Sequence, residues 1–385
     1  MTPTPFRIDV PQRSLDDLAR RLDHTRLPDD HDNADWRYGV PRAWLEPLLE
    51  HWRTRFDWRA EEARMNAVAQ YRVAIDGVPI HFLHVPGKGP DPTPLVLTHG
   101  WPWTVWDWEA VFGPLADPAA HGGDPANSFD VIVPALPGFG FSAPLRRAGL
   151  NVRAIGGLWR RLMCDVLGHS RFAAAGGDWG SMITAELGHA HADVVTGCHL
   201  TLPLLPGLDP RRIPADLYAA DEQWMIARNR AARAVSEVHV TAQRRDPQTL
   251  GYGLEDSPAG LAAWLWERRR NWGDPGSDAL VDPDRLCALA SYYWHSRSIV
   301  PSMRLYAEHY DAPWHPLPGR AGKLLSVPTA FAVAPFELML IPRALAARET
   351  DLRRWTVLPA GGHFLPVEQP GALVAEYRAF FGGLR

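Results

Sequence analysis

The sequence predicts an α/β fold in which a mainly parallel sheet carries helices on both faces. Three observations indicate it: apolar strand patterns alternate with helical ones, a long helical stretch interrupts them, and one strand-to-helix turn is glycine-rich. With 385 residues, 46% of them hydrophobic, the chain can form one large core plus an appended or inserted domain. We therefore expect an N-terminal segment that wraps the core (1–72), a first core part (73–205), a helical cap (206–315) and a second core part (316–385).

The N-terminal segment reads as short amphipathic helices joined by Pro- and Asp-rich loops. Ser14 precedes an apolar pattern of helical spacing that ends at Leu22, so we expect Ser14 to cap this helix. The segment carries no evident catalytic group and is too small to form a domain alone. We therefore expect it to pack on the residues that follow.

Strand patterns dominate the two core parts. The runs 71–75 and 80–85 flank Asp76-Gly77, a dipeptide typical of hairpin turns. Buried-type apolar runs at 95–98, 129–134, 171–175, 327–333 and 355–358 predict further strands, and helical patterns lie at 153–167, 181–189 and 371–381. The helical stretch between the core parts is rich in Trp and Arg. We expect it to lie over the carboxyl ends of the strands.

The segment Gly176-Gly177-Asp178-Trp179-Gly180 carries the most chemical information. It follows a predicted strand and precedes a helix, and its glycines permit the strained turn that lifts one side chain out of a sheet. A carboxylate in that position can attack a saturated carbon and form an ester that water later cleaves. Capping of the helix is the alternative role for Asp178, and the motifs that follow argue against it.

His99-Gly100-Trp101-Pro102 follows a strand directly. In hydrolases with such a turn, a backbone N–H group after the His-Gly pair and the one after the nucleophile stabilise an oxyanion. We therefore expect the N–H groups of Trp101 and Trp179 to form the oxyanion hole. A plain loop is the alternative.

The last predicted strand is followed by a Gly-Gly-His loop that contains His363. This position suits the base that deprotonates the hydrolytic water, although a single histidine among 16 can also be structural. Such a base needs an orienting carboxylate, which we expect to be Glu337. Asp351, in a charged stretch, is the competing candidate.

Taken together, these motifs resemble the epoxide hydrolases of the microsomal and juvenile-hormone type, which have the α/β-hydrolase fold. The resemblance spans nearly the whole chain and rests on the following segments: WRYGVP (36–41), FDWR (56–59), GVPIHF (77–82), HGWP (99–102), LPGFGFS (136–142), GGDWGS (176–181), PFE (335–337) and GGHF (361–364). It implies that Asp178 opens an epoxide through a covalent ester, and that His363 with Glu337 activates the water that releases a vicinal diol.

The resemblance also implies two cap tyrosines that hydrogen-bond and protonate the leaving oxygen. Tyr306 matches one, but His239 stands at the position of the other. Either His239 replaces the phenol, as a neutral N–H donor or as an acidic imidazolium with a steeper pH dependence, or it only lines the pocket. Tyr306 could also act alone, or Tyr293 or Tyr252 could take the place of the second tyrosine.

The expected ligand is a small-molecule epoxide, and the Trp-rich cap favours a bulky or aromatic one. We expect Trp103, Tyr293 and His239 to contact it. No phosphate loop, dinucleotide fingerprint or metal-ligand spacing occurs, so we expect no cofactor and no metal.

Composition argues against several other classes of protein. The net charge of −4 and the lack of a long basic run disfavour a nucleic-acid partner, and no apolar stretch approaches a membrane span. The three cysteines are far apart without CxxC spacing, which disfavours disulfides and fits the cytoplasm. The membrane anchor of microsomal relatives is missing, so we expect a soluble bacterial type. A homodimer stays open.

Two alternative functions stay open at this stage. A haloalkane-type dehalogenase would use the same aspartate, with Trp179 as a halide donor, whereas a non-catalytic binding protein would keep only the fold. The Trp-Pro pair after His99-Gly100 and the N-terminal segment favour the epoxide hypothesis. Similar enzymes act in bacterial natural-product pathways, including those of enediynes, which suggests such a pathway here.

Overall fold

One sheet organises the fold. The computed structural model describes residues 1–318 and 322–384, and within them nine strands, numbered β1 to β9 in chain order, are Thr4–Phe6, Gln70–Ile75, Val78–Val85, Thr93–Thr98, Phe129–Pro134, Phe172–Gly176, Val195–Leu200, Leu325–Val333 and Thr350–Val357. Their order in the sheet is β1-β2-β3-β5-β4-β6-β7-β8-β9. The pairings on the β1 side, as far as β3 with β5, are antiparallel, and the other five are parallel. The predicted α/β-hydrolase fold is confirmed.

Helices cover the sheet and form the cap. In the described part of the chain the α-helices, numbered α1 to α14, are Gln12–Asp23, Arg42–Thr54, Trp58–Met65, Glu109–Ala116, Val152–Arg161, Trp179–Ala190, Trp224–Arg245, Pro247–Asp256, Pro258–Trp272, Pro283–Ser296, Ile299–Asp311, Arg343–Glu349, Leu365–Glu368 and Pro370–Phe381. A π-helical segment, Leu162–Val166, continues α5. Across the described ranges, none of these helices has both the length and the apolar character that crossing a membrane requires.

The N-terminal segment contributes to the sheet as well as packing on it. β1 pairs with β2 at the sheet edge, which the sequence analysis missed because three residues carry no alternation signal. Helix α1 begins at Gln12 after Pro11, three residues earlier than expected. The prediction that Ser14 caps it is wrong, because the Ser14 hydroxyl lies 2.9 Å from Nδ1 of His295 in the cap.

The centre of the sheet is fully covered. β6 is buried along its whole length, and its Phe-Ala-Ala-Ala-Gly sequence shows no apolar alternation, as in parallel strands that pack on both faces. β7, whose Val-Thr-Gly-Cys-His-Leu sequence also lacks alternation, escaped prediction. β9 begins at Thr350, five residues before the predicted run, because charged residues obscure its first half.

Helices α7 to α11 leave the sheet after β7 and return to it at the adjacent β8. This stretch falls inside the predicted cap, 206–315, and contacts the loops that follow β4 and β6. The division of the chain into four segments stays a prediction. A boundary between residues 72 and 73 would divide β2, which begins at Gln70.

Candidate active site

Asp178 stands on a strained turn between β6 and α6. Its φ of +53° and ψ of −126° are unusual for a side-chain-bearing residue, since steric clashes disfavour that region. Glycines make the turn possible: a Cβ on Gly180 would lie 1.9 Å from the Thr98 carbonyl oxygen, and one on Gly176 would lie 2.4 Å from the Gly180 carbonyl carbon. The turn holds the carboxylate out of the sheet, with 15% of the side chain exposed.

A backbone donor faces this carboxylate. The Trp101 N–H donates to Oδ1 of Asp178 at 2.8 Å, and Gly100 allows the approach, because a Cβ there would lie 2.2 Å from the Asp178 Cβ. Trp179, the other expected donor, begins α6 directly after Asp178. The loop after β4 and the turn after β6 therefore meet at one carboxylate oxygen.

His99 fixes the loop that carries Trp101. Its Nε2 accepts from the Leu136 N–H at 3.1 Å, and its Nδ1 lies 2.9 Å from the Gly100 carbonyl oxygen. Burial lowers the pKa of His99 to about 4, so the ring is neutral and Nδ1 carries the proton that it donates. His99 thus supports the loop that carries Trp101.

His363 lies between two carboxylates. Its Nδ1 is 2.7 Å from Oε1 of Glu337, and its Nε2 is 3.4 Å from Oδ2 of Asp178, a distance at which no well-formed hydrogen bond exists. Both His363 and Glu337 are buried. Asp351, the competing candidate, lies in β9 and pairs with Arg353. The structure therefore brings the three predicted residues together and places Asp351 in another ion pair.

The charge on His363 depends on its neighbours. Burial alone would lower its pKa, but the carboxylates of Glu337 and Asp178 outweigh burial and raise the pKa to about 10. The imidazole is therefore protonated at neutral pH. Removing the negative charge of Asp178 would lower this pKa again.

Two cap residues lie over the turn. Tyr306 of α11 packs edge-to-face on Trp179 with ring centroids 4.8 Å apart, and His239 of α7 stacks on Trp101 at 5.5 Å with an interplanar angle of 6°. The rings of Tyr306 and His239 are themselves 5.4 Å apart. The aromatic residues flanking the carboxylate thus seat the two cap candidates.

Tyr306 and His239 are both uncharged, but different neighbours set their pKa values. Burial, and then the negative charge of Asp178, raise the pKa of Tyr306 well above its usual value, so the phenol keeps its proton. Burial, and then the positive charges of Arg268 and His363, lower the pKa of His239 well below its usual value. His239 is therefore neutral, and the imidazolium alternative is disfavoured. Its Nδ1 is buried, and the nearby Ser236 backbone does not give it a hydrogen bond of normal geometry.

The remaining candidates support the site or lie away from it. The Tyr293 hydroxyl donates to the Trp103 carbonyl oxygen at 3.0 Å, so this phenol is engaged with the backbone. The Trp103 ring is fully buried and packs edge-to-face on His363, with centroids 5.7 Å apart. Tyr252 is 71% exposed, so the hypothesis that it replaces a cap tyrosine is wrong.

Trp272, at the end of α9, is a site residue that the sequence analysis did not single out. Its ring lies 4.5 Å from that of His239 and 5.4 Å from that of His363, and so joins the cap candidate to the predicted base. Nothing in the sequence separates it from the other cap tryptophans. Over residues 1–318 and 322–384, no group of three or more His, Cys, Asp or Glu side chains is arranged to hold a metal ion.

Two family models match the chain. The model described as epoxide hydrolase N terminus covers residues 3–108, and the model of the alpha/beta hydrolase fold covers 93–242. A protein of Stigmatella aurantiaca (strain DW4/3-1), provisionally named an epoxide hydrolase, is 38% identical; the match covers 99% of this chain and 85% of that protein. Epoxide hydrolase 1 of Oryctolagus cuniculus is 30% identical over 98% of this chain and 88% of its own.

A solved structure extends the similarity to three dimensions. The Aspergillus niger epoxide hydrolase superimposes with a TM-score of 0.87 at 26% identity, covering 100% of this chain and 97% of its own. Both the N-terminal segment and the cap are therefore shared with a chain of nearly the same extent.

Proposed function

The chain belongs to the epoxide hydrolase family, and on that premise we propose that Asp178 opens an epoxide through a covalent ester, which water activated by His363 cleaves to a vicinal diol. The observation that carries this proposal is the contact chain from the Trp101 N–H through Asp178 and His363 to Glu337. It supports the proposal because the groups that would serve as oxyanion donor, base and orienting carboxylate lie around one carbon, Cγ of Asp178.

The first step is attack on an epoxide carbon. Because the Trp101 N–H holds Oδ1 of Asp178, Oδ2 is the oxygen left to form the new bond. The epoxide C–O bond breaks, its electron pair moves to the ring oxygen, and Tyr306 supplies the proton. A phenol with a raised pKa gives up its proton only to a strong base, such as the alkoxide that develops on ring opening.

His239 is the second proposed contact of the epoxide oxygen. Since its imidazole is neutral, it can donate a hydrogen bond from one ring nitrogen but does not carry a proton to transfer. Its parallel stack on Trp101 places it beside Tyr306, where the second phenol of related enzymes is expected from the resemblance. We therefore assign proton donation to Tyr306 and hydrogen bonding to His239.

The second step depends on the change in charge at Asp178. Ester formation removes one of the two carboxylates that raise the pKa of His363, so this pKa falls and the imidazole can release its proton. Through solvent, that proton replaces the one lost by Tyr306. Neutral His363 then takes a proton from water, and the hydroxide attacks Cγ.

Collapse of the resulting intermediate completes the cycle. The negative charge develops on Oδ1, where the backbone N–H groups of Trp101 and Trp179 stabilise it. The bond between Cγ and the ester oxygen then breaks, and the diol oxygen takes up the proton of the carboxylic acid that forms at Cγ. Asp178 returns as a carboxylate beside protonated His363.

We also propose a bulky or aromatic epoxide as substrate. The rings of Trp101, Trp179, Trp272 and Tyr306 surround the site, and aromatic surfaces favour aromatic guests. The ratio of kcat/KM for styrene oxide to that for propylene oxide measures this preference, and a ratio of one or less contradicts it.

The three cysteines are free thiols, which supports the proposal of a cytoplasmic location.

A single-turnover experiment in H₂¹⁸O tests the covalent route. With enzyme in excess over styrene oxide, water attacks Cγ, so the label should appear in the peptide that carries Asp178 and the diol should stay unlabelled. The variant Asp178→Asn, checked by mass for deamidation, should form neither product. Label in the diol without label in the peptide would mean that water attacks the epoxide directly.

A further inference from the structure

The loop that carries His363 is joined to the cap by contacts that the proposed reaction does not use. We call residues 361–364 the base loop and residues 272–274 the α9 end. The His363 N–H donates to the Trp272 carbonyl oxygen at 3.1 Å, and the Gly361 N–H donates to Oδ2 of Asp274 at 2.8 Å. A Cβ on Gly362 would lie 2.7 Å from the Gly273 carbonyl carbon, so the two backbones are in direct contact.

Glu368, the last residue of α13, bridges the two segments. Its Oε1 accepts from the Phe364 N–H at 2.8 Å in the base loop, and its Oε2 accepts from the Asp274 N–H at 2.6 Å at the α9 end. Each carboxylate oxygen therefore serves one side of the contact. A glutamine here would offer one acceptor oxygen and one NH₂ group, which donates and cannot accept from a backbone N–H.

The carboxylate of Glu368 is buried at a cost. Burial raises its pKa to about 7, while the backbone donors Asp274 N–H and Phe364 N–H act in the opposite direction. A buried charged group is unfavourable unless hydrogen bonds compensate it, and here one compensating donor belongs to the base loop and the other to the α9 end. A glutamate suits this position because each of its two oxygens accepts from the backbone of a different segment.

The contact matters because no well-formed hydrogen bond joins His363 to the nucleophile. Nε2 of His363 lies 3.4 Å from Oδ2 of Asp178, so its direction depends on its hydrogen bond to Glu337 and on the position of the base loop. The α9 end also carries Trp272, whose ring packs on His363. A shift of about 1 Å in a catalytic group can slow a reaction about 100-fold.

We propose that Glu368 is a positioning residue that holds the base loop against the α9 end and so aims His363 at the ester. The inference rests on the proposed covalent route. Ester formation uses Asp178 and Tyr306, which Glu368 does not contact through any of these hydrogen bonds. Loss of the bridge should therefore slow ester hydrolysis while ring opening proceeds.

Acid-quenched single turnovers with styrene oxide measure both steps, because the ester is detected as added mass on the peptide that carries Asp178. In Glu368→Ala the rate constant of ester decay should fall about 10- to 100-fold, and that of ester formation should stay within about threefold. Glu368→Gln keeps one acceptor oxygen and should fall between Glu368→Ala and the wild type. Glu376→Gln is the matched control, since Glu376 is also buried but pairs with Arg354 in another part of the fold; it should leave both rate constants unchanged.

The outcomes separate this inference from the proposed function. If the wild type forms no ester, the covalent route itself fails. If the wild type forms an ester and Glu368→Ala hydrolyses it at the wild-type rate, or slows both steps equally, the positioning role is wrong. Partial unfolding would reduce amplitudes and not rate constants. Should Glu368→Ala not fold, Glu368→Gln decides by the same two rate constants.

Discussion

The core and the cap hold their parts of the site by different physical means. In the core, Asp178 is fixed by backbone: a positive φ, close-approaching glycines and a hydrogen bond from the Trp101 N–H. In the cap, Tyr306 and His239 are seated by ring contacts with Trp179 and Trp101. We call these two parts of the site the core half and the cap half. The core half depends on main-chain geometry and the cap half on packed aromatic surfaces.

This difference explains which positions of the site can accept a different residue. A group held by main-chain geometry tolerates little, because any added atom meets backbone. A packed ring is held by neighbouring side chains, which can adjust to a different ring more readily than the backbone can. His239 stands where the resemblance implies a tyrosine, and its imidazole still stacks flat on Trp101. The cap is therefore where we expect members of this family to vary their chemistry.

Among the changes that leave the nucleophile in place, the largest effect should follow from replacing His363 in the core half. His363→Gln removes the only group within reach of Asp178 that we assign to water activation, so turnover should fall about 10²- to 10⁴-fold. Ring opening should continue, and a mass increase equal to the epoxide should accumulate on the peptide that carries Asp178. If the ester on that peptide forms and is hydrolysed at the wild-type rate, His363 is not the base.

A smaller and opposite effect should follow from changing the cap half. Tyr306→Phe should slow ester formation about 100-fold because the proton donor is lost, and His239→Phe should slow it about tenfold because one hydrogen bond is lost. Both variants should hydrolyse a formed ester at the wild-type rate. The measurement is the pre-steady-state rate constant of ester formation.

The matched control for the cap is His239→Tyr, which restores the phenol implied by the family resemblance and keeps an aromatic ring on Trp101. It should form the ester faster than His239→Phe. An unchanged rate of ester formation in His239→Phe would mean that His239 only lines the pocket. In that case Tyr306 alone would serve the leaving oxygen.

The sequence predicted the core half of the site better than the cap half, for a physical reason. The turn at Asp178 is specified within five residues, because glycines must stand where backbones touch, and such a pattern is legible without a structure. The position of His363 after the last strand is likewise a local signal. The sheet, apart from β1 and β7, could be predicted from apolar runs.

Contacts between distant segments carry no such signal. Glu368 meets Asp274 across 94 residues, and nothing near either one in the sequence announces the contact. The Tyr293 hydroxyl donates a hydrogen bond to the Trp103 carbonyl oxygen, 190 residues away, and its contact with the substrate stays a prediction. Trp272 is one of 17 tryptophans, and only its packing between His239 and His363 distinguishes it.

His199, in the core, is expected to affect the stability of the fold and to have the smallest effect on catalysis. Burial lowers the pKa of His199 on β7 to about 3, and its ring packs on Tyr377 with neither nitrogen hydrogen-bonded. The unfolded chain takes up a proton on His199 near pH 6.5, whereas the folded chain does so only near pH 3. The stabilising contribution of the neutral His199 ring is therefore present above pH 6.5 and is lost as the pH falls toward 3. The free energy of unfolding should therefore decrease by about 1.4 kcal/mol per pH unit for each such histidine.

The variant His199→Leu removes this proton-binding difference without touching the active site. Between pH 7 and pH 5 it should lose about 2 kcal/mol less free energy of unfolding than the wild type, as measured by urea denaturation at each pH. Its kcat at pH 7 should equal that of the wild type. His363 does not obscure the result, because its raised pKa of about 10 makes its own contribution change mainly above pH 6.5. An equal loss in both proteins would show that His199 is protonated in the folded state, and that this part of the core is less closed to water than the ring contacts imply.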